Sequence, residues 1–254
     1  MRYVTPKKYL GQHFLKDENI ARQIVEGLKP ASEEVEVIEI GPGTGVLTKF
    51  LLPKYAHFRA FDVDSESITY LKEAYPNHAA KFLEEDFLRF NITTFSQPVS
   101  IIGNFPYNIS SQLFFAFWES RNYVGEIVCM LQKEVADRIA SKEGNKTYGI
   151  LSVLLGAFYD IEYLFTVPPN VFNPPPKVNS AVIRLVRNNV DSLDCDEKMF
   201  KKVVKAGFGK RRKTLRNALK DLNLEFDNTL PVFDKRAEQL SVSDFIALTK
   251  YVSP

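Results

Sequence analysis

Short apolar runs alternate along this chain with stretches in which apolar residues recur every three or four positions. The runs at 35–40, 58–61, 81–84, 98–103 and 125–131 predict buried strands. Between them the spacing predicts helices. One opens at Asp17 with Ile20, Ile24, Val25 and Leu28 on its apolar face. Others cover 46–52, the stretch that Ser65 caps and Pro76 closes, and 110–119. Strand, glycine-bearing or acidic loop, helix therefore recurs. The expected fold is α/β, a Rossmann-like parallel sheet with right-handed crossovers.

Further on, 132–141 predicts a helix, 142–148 a polar loop and 149–157 an apolar helix. Strands at 160–167 and 180–186 flank a proline-punctuated loop, and their close return predicts an antiparallel edge. Residues 188–194 are polar and lack periodicity, which places a domain boundary there, giving domains 1–188 and 189–254. The second domain reads as helical. Phe200, Val203, Val204, Gly207 and Phe208 form one stripe, and Leu215, Ala218, Leu219 and Leu222 another. Ser241-Val242-Ser243-Asp244 has the form of a capping box opening a last helix.

Charge changes this picture. The net charge is only +2, yet ten Lys or Arg and no Asp or Glu fall between Lys198 and Lys220. The remaining chain holds 23 basic residues against all 31 acidic ones. A mildly acidic body with one strongly basic stretch suits a polyanionic partner. Lys210, Arg211, Arg212, Lys213 and Arg216 are its densest part, read as a helix face. That face is either merely solvated or a phosphate-contacting surface. No apolar run approaches the roughly 20 residues that span a bilayer. The basic, aromatic first ten residues lack the apolar core of a signal peptide. Two distant cysteines suit reduced thiols in a cytoplasm, and three scattered histidines give no metal site.

Candidate chemistry lies at the predicted strand ends, where open α/β sheets bind ligands. The first strand runs into Gly41-Pro42-Gly43-Thr44-Gly45. Val46 stands where a nicotinamide-type fingerprint needs glycine, so the loop suits a nucleoside carrying an amino acid better than a pyrophosphate. Asp62, 21 residues after Gly41, is placed to take both ribose hydroxyls, or is a loop acid. Asp64 fits a helix cap better than Asp62 does. Asp86 is placed for an adenine amino group, with the Phe87 N–H and ring beside it, or is likewise a loop acid. The fourth strand delivers Asn104-Phe105-Pro106-Tyr107. Read alone, this is a Pro-Tyr turn, or a holder for an amino group on a flat base: two carbonyl acceptors and a stacking ring.

Together these segments resemble the motif series of S-adenosylmethionine-dependent N6-adenine methyltransferases. Gly11-Gln12-His13-Phe14-Leu15, Asn104 to Ser110, Met130 to Ala136, Tyr148-Gly149, Phe172 to Val178 and Arg211 to Leu215 extend the likeness from about Lys8 to Leu248. Over that span the chain resembles the KsgA/RsmA family of ribosomal RNA adenine dimethyltransferases. Family members often carry Asn at His13, Glu at Asp62 and Leu at Phe105. The resemblance implies dimethylation of two adjacent adenosines in the 3′-terminal hairpin of small-subunit (16S) rRNA. It implies S-adenosylmethionine as cofactor, held by Gln12, His13, Leu15, Gly41, Gly43, Gly45, Asp62, Val63, Asp86, Phe87 and Asn104. Asn104, Phe105, Pro106 and Tyr107 are the expected catalytic residues, and the C-terminal domain is the expected RNA-binding module. The expected partner is rRNA within a pre-30S particle, met by a cytoplasmic monomer without metal. Two alternatives share the motifs. One is a large-subunit methylase of the antibiotic-resistance type; the other is a non-catalytic assembly or transcription factor.

Overall fold

The computed structural model describes residues 4–222 and 229–252. In chain order the elements are β1 (Phe14–Leu15), α1 (Glu18–Gly27), β2 (Val37–Ile40), α2 (Thr48–Leu51), β3 (Phe58–Asp62), α3 (Ser65–Ala74), β4 (Phe82–Glu84), β5 (Val99–Asn104), α4 (Ser110–Glu119), β6 (Val124–Gln132), α5 (Lys133–Ile139), α6 (Ile150–Gly156), β7 (Tyr159–Val167), β8 (Phe172–Asn173), β9 (Ser180–Arg187), α7 (Glu197–Gly209), α8 (Leu215–Ala218) and α9 (Val242–Val252). Short 3-10 segments, the longest Pro76–Lys81, lie among them.

Seven strands form one sheet in the order β4-β3-β2-β5-β6-β9-β7. From β4 to β6 every neighbouring pair is parallel, as the repeat of strand and helix predicts. The chain winds one way from β2 through β3 to β4 and the other way from β5 to β6. The switch between β2 and β5 leaves a crevice at their carboxyl ends. The central strands are mostly apolar and mostly buried, with Ile38, Ile101, Ile102, Val128 and Ile183 all at 0% exposure.

The structure corrects several expectations. β9 is antiparallel to β6, but it lies inside the sheet, between β6 and β7. Its SAVIRLV run is buried almost continuously, whereas β7 is buried only at its two ends, Tyr159 and Val167, as suits an edge strand. Asp64, rather than Ser65, is the N-cap of α3, accepting the Glu66 N–H at 3.2 Å. A second sheet, not anticipated, pairs β1 antiparallel with β8, Phe14 opposite Asn173 and Leu15 opposite Phe172. Asp17 does cap α1, accepting N–H groups from Asn19 and Ile20.

The chain divides into two compact units, Met1–Ala136 with Ile161–Arg187, and Asp137–Asp160 with Asn188–Pro254. The expected cut after residue 188 therefore lacks the excursion 137–160. The reason lies in α6, whose sequence ILSVLLG is apolar on all sides and buried from Leu151 to Leu155. It packs on α7 and α9 within the second unit. There Phe208 meets both Tyr148 and Phe245, and Gly207 lies under Ala237. The capping box at α9 is formed, Ser241 and Asp244 each bonding the other's N–H.

The basic stretch is not one helix face. α7 ends at Gly209, and Lys210 to Thr214 form a turn before α8. Leu215 and Leu219 are buried as expected.

Candidate active site

The carboxyl ends of β2, β3, β4 and β5 converge on a cavity of about 260 Å³. Gly41, Gly43, Asp62, Val63, Asp86 and Asn104 to Tyr107 line it, roofed by Leu10 to Phe14. Two close approaches shape its floor. Gly43 has φ +54°, and a Cβ there would sit 2.8 Å from the Phe14 ring. Gly103, just before Asn104, passes so near β2 that a Cβ would lie 2.3 Å from the Ile40 carbonyl.

Asn104 is the last residue of β5, register partner of Met130. Its side-chain NH2 donates to the His13 carbonyl at 2.8 Å. That bond fixes the amide plane and reserves Oδ1 as an acceptor. The Phe105 N–H donates to the Met130 carbonyl at 2.9 Å, carrying the ladder one residue past the strand. The Phe105 ring is 1% exposed among Phe114 and Phe117, so only its carbonyl is available for chemistry. The Tyr107 hydroxyl is bonded to Ser180 Oγ, and its ring lies 5.3 Å from that of His13. Burial raises the Tyr107 pKa, which keeps the phenol neutral.

His13 holds three elements together. Its carbonyl receives Asn104, its Nδ1–H donates to the Pro174 carbonyl at 2.8 Å, and its ring abuts Tyr107. A carbonyl only accepts, so Nδ1 carries the hydrogen and Nε2 is the ring's remaining nitrogen. Gln12 lines the cavity, yet both ends of its amide are engaged. Oε1 accepts the Lys7 N–H at 2.8 Å and Nε2 donates to Asp64 at 3.0 Å. Asp64 is buried, which alone would raise its pKa; bonds from Gln12, Lys7 and Ser67 outweigh this and hold it below the usual range. This cluster straps the N-terminal segment to the start of α3.

Asp62 is 9% exposed and accepts the Asp64 N–H at 3.0 Å and the Gly43 N–H at 3.4 Å. Burial pushes its carboxyl up to about 6 against those bonds. Asp86 accepts the Leu88 N–H at 3.0 Å and faces Arg89. The Phe87 ring does not face this cavity. It packs edge-on to Phe61 and beside Phe90 and Phe117, and Phe87 lines an adjoining recess with Asp62, Val63 and Asp86. Leu15 is buried in the core, while its neighbour Phe14 reaches the cavity.

Sequence reasoning gave no separate role to Glu39, Phe14 or Ser180. Glu39 is 1% exposed, accepts the Thr48 hydroxyl at 2.6 Å, and lines a small recess with Gly41, Gly43 and Asn104. Burial pushes it up to about 8. Its signal was a lone acid inside an otherwise apolar strand.

The five basic residues expected to meet RNA divide into two kinds. Arg211 donates to the Lys146 and Tyr148 carbonyls and pairs with Glu238 at 3.5 Å. Lys210 pairs with Asp221 at 2.6 Å and Arg216 with Asp234 at 2.7 Å. Arg212 and Lys213 are exposed and make no ion pair among the described residues.

Residues 4–253 match the family described as Ribosomal RNA adenine dimethylase. A relative from Cytophaga hutchinsonii, named Ribosomal RNA small subunit methyltransferase A, is 56% identical over 256 residues, covering 100% of this chain and 99% of its own. The crystal structure of a dimethyladenosine transferase from Plasmodium falciparum superposes with a TM-score of 0.75 at 26% identity, over 93% of this chain and 96% of that one. The 23S rRNA methyltransferase ErmE shares the fold, with a TM-score of 0.71 at 21% identity over 93% and 99%. With the glycine loop, Asp62 and the oriented Asn104 at the sheet's switch point, these matches place the chain in the ribosomal RNA adenine dimethylase family.

Proposed function

We propose that this chain dimethylates the N6 amino groups of two adjacent adenosines in the 3′-terminal hairpin of small-subunit rRNA, using S-adenosylmethionine. Its setting on this reading is a cytoplasmic monomer acting on a pre-30S particle. The observation that carries the reading is the Asn104 amide, whose NH2 is held by the His13 carbonyl so that Oδ1 is left to accept a hydrogen bond from the amine.

The residues fit the cofactor. The loop at Gly43 has no room for a side chain, Asp62 ends β3 with a carboxylate at the cavity wall, and Val63 beside it is 52% exposed. Asp62 would take the ribose hydroxyls, with the Phe87 backbone and Asp86 at the adenine. When bound, S-adenosylmethionine supplies an electrophilic methyl group.

The chain's own residues do the rest. An adenine amine is a weak nucleophile because its lone pair is delocalised into the ring. Asn104 Oδ1 and the Phe105 carbonyl accept its two N–H bonds and draw the nitrogen toward tetrahedral geometry. The same oxygens stabilise the positive charge that develops on it. Tyr107, fixed at its hydroxyl by Ser180, stacks on the base. No side-chain base is required at the outset, because the methylated ammonium loses its proton readily to water.

Arg212 and Lys213 supply phosphate contacts, and Lys210 can exchange its exposed ion pair with Asp221 for phosphate at little cost. The high identity to a relative named for the small subunit supports that substrate over the large one. The intact Asn104 to Tyr107 segment supports catalysis over a purely binding role. The test is labelled methyl transfer to small and large ribosomal subunits purified from cells lacking the modification. Transfer to small subunits alone is expected; transfer confined to large subunits would overturn the reading.

A further inference from the structure

Lys7 is the hub of a small closed loop. Its carbonyl accepts the Leu10 N–H at 3.1 Å and the Gln12 N–H at 3.4 Å, and its own N–H donates to Gln12 Oε1 at 2.8 Å. Between these bonds the chain makes one 3-10 turn, Lys8–Leu10, and reverses at Gly11, where φ is +65°. Residues 7–12 are therefore stapled to themselves and shift as one body.

Two side chains pin this loop to Asp64. Lys7 Nζ pairs with Oδ1, and Gln12 Nε2 donates to Oδ2 at 3.0 Å. The same carboxylate takes the Ser67 hydroxyl at 3.0 Å and the Glu66 N–H at 3.2 Å, and its side chain is 0% exposed. It is thus anchored to the first turn of α3, and its backbone N–H is spent on Asp62. Glu66 adds a second acceptor for Lys7 at 3.4 Å. The Lys7 charge is spent inside the protein.

The far end of the loop reaches the chemistry. Gln12 is followed directly by His13, whose carbonyl receives the Asn104 NH2 at 2.8 Å. Gly11 packs so closely on Asn108 that a Cβ would lie 2.8 Å from its Oδ1. From downstream, the β1–β8 pairing and the His13–Pro174 bond hold His13. From upstream, Lys7 and Gln12 hold it through Asp64. A hydrogen bond weakens steeply as it leaves alignment, so a carbonyl clamped from both sides orients an amide better than one clamped from one.

We infer that Lys7 and Asp64 are positioning residues for Asn104: they clamp the 7–12 loop so that the His13 carbonyl meets the Asn104 NH2 and leaves Oδ1 for the amine, a role that rests on the functional reading above. Neither residue touches the reacting atoms. Their effect passes through the loop to His13 and from His13 to the amide, a continuous path of bonded groups. Losing the Lys7 charge frees the loop from α3 and lets the His13 carbonyl drift from the amide. The reacting nitrogen is then held less well, and the loss falls on turnover rather than on RNA binding.

The test compares Lys7→Met, which keeps an apolar stem and removes the charge, with Lys7→Arg, which keeps the charge. Nuclear magnetic resonance reads the solvent exchange of the Asn104 side-chain NH2 in the free protein. Steady-state methyl transfer to unmodified small subunits, with S-adenosylmethionine saturating as checked by calorimetry, gives kcat and KM. Lys7→Met is expected to speed the exchange about tenfold and to lower kcat about tenfold, with KM for subunits unchanged. Lys7→Arg is expected to restore both. A higher KM at natural kcat would make Lys7 a phosphate contact and overturn the inference. Natural exchange in Lys7→Met overturns it too, as does a loss of kcat that Lys7→Arg does not restore. No transfer by the unaltered enzyme overturns the functional reading, while the exchange rates still decide whether Lys7 orients Asn104.

Discussion

At Asp62 burial and hydrogen bonding act in opposite directions, and burial wins, leaving the carboxyl to titrate at about 6. The folded value lies above the ordinary 3.8, so ionising this group opposes folding: its contribution to stability is full below about 4 and is lost as pH rises through about 6. In the proposed binding mode two ribose hydroxyls would donate to the ionised form, so binding would reverse the preference. Donor affinity should therefore fall as pH drops below about 6, with proton release on binding in that window. Calorimetry in buffers of different ionisation enthalpy reads the proton count, and Asp62→Asn should remove the pH step. A pH-independent affinity from 5 to 7.5 would count against Asp62 as the ribose ligand.

At the residue scale the sequence was informative where chemistry sits at strand ends. The glycines, Asp62 and Asn104 needed only the strand periodicity to be located. What it could not show was where each side chain spends its bonds. Gln12 turns to Asp64, and the Phe87 ring turns to Phe61. Those choices depend on neighbours 52 and 26 positions away in the chain.

Among the elements, the join of β2 and β5 matters most. Gly103 lets β5 run within contact of the Ile40 carbonyl and so sets where Asn104 emerges. Gly103→Ala places a methyl group against backbone, which cannot swing aside as a side-chain tip can. A loss of about 1–3 kcal/mol in urea unfolding is expected. Methyl transfer should fall more steeply than stability suggests, since Asn104 moves with its strand. An unfolding midpoint and kcat equal to those of the unaltered protein would show that the approach is not tight. The strands themselves were legible from their apolar runs, because a parallel sheet buries both faces. Strand order was less so. Chain proximity placed β9 beside β7 at the sheet's edge, and the continuous burial of β9 against the partial exposure of β7 carried the signal for which of the two lies outermost. The β1–β8 pair was illegible, since two-residue strands have no periodicity and these lie more than 150 positions apart.

For the whole molecule, the question is which cations are free to meet RNA. Density of charge in the sequence put Arg211 and Arg212 together, but their partners separate them. Arg211 holds the backbone at Lys146 and Tyr148, so its removal should lower the melting temperature of the second unit. Arg212 and Lys213 carry no such duty among the described residues. Changing both to Ala should leave melting unchanged and weaken RNA binding. It should also reduce the slope of log affinity against log salt by about 2. Filter binding across a salt series checks this, and an unaltered slope would remove the turn from the RNA-binding surface. The same structure shows why the domain cut was incomplete. The helix α6 is too apolar to remain at a surface, and it completes the second unit's core from a distant part of the chain.

In the proposed mechanism Asn104, aimed by the His13 carbonyl, activates the amine that receives the methyl group. Single-turnover transfer by Asn104→Ala to unmodified small subunits, with donor affinity measured on the same preparation, tests it most directly. The transfer rate is expected to fall by about 10²–10³-fold or more, with donor affinity changed by less than about threefold. Transfer at the unaltered rate would contradict it.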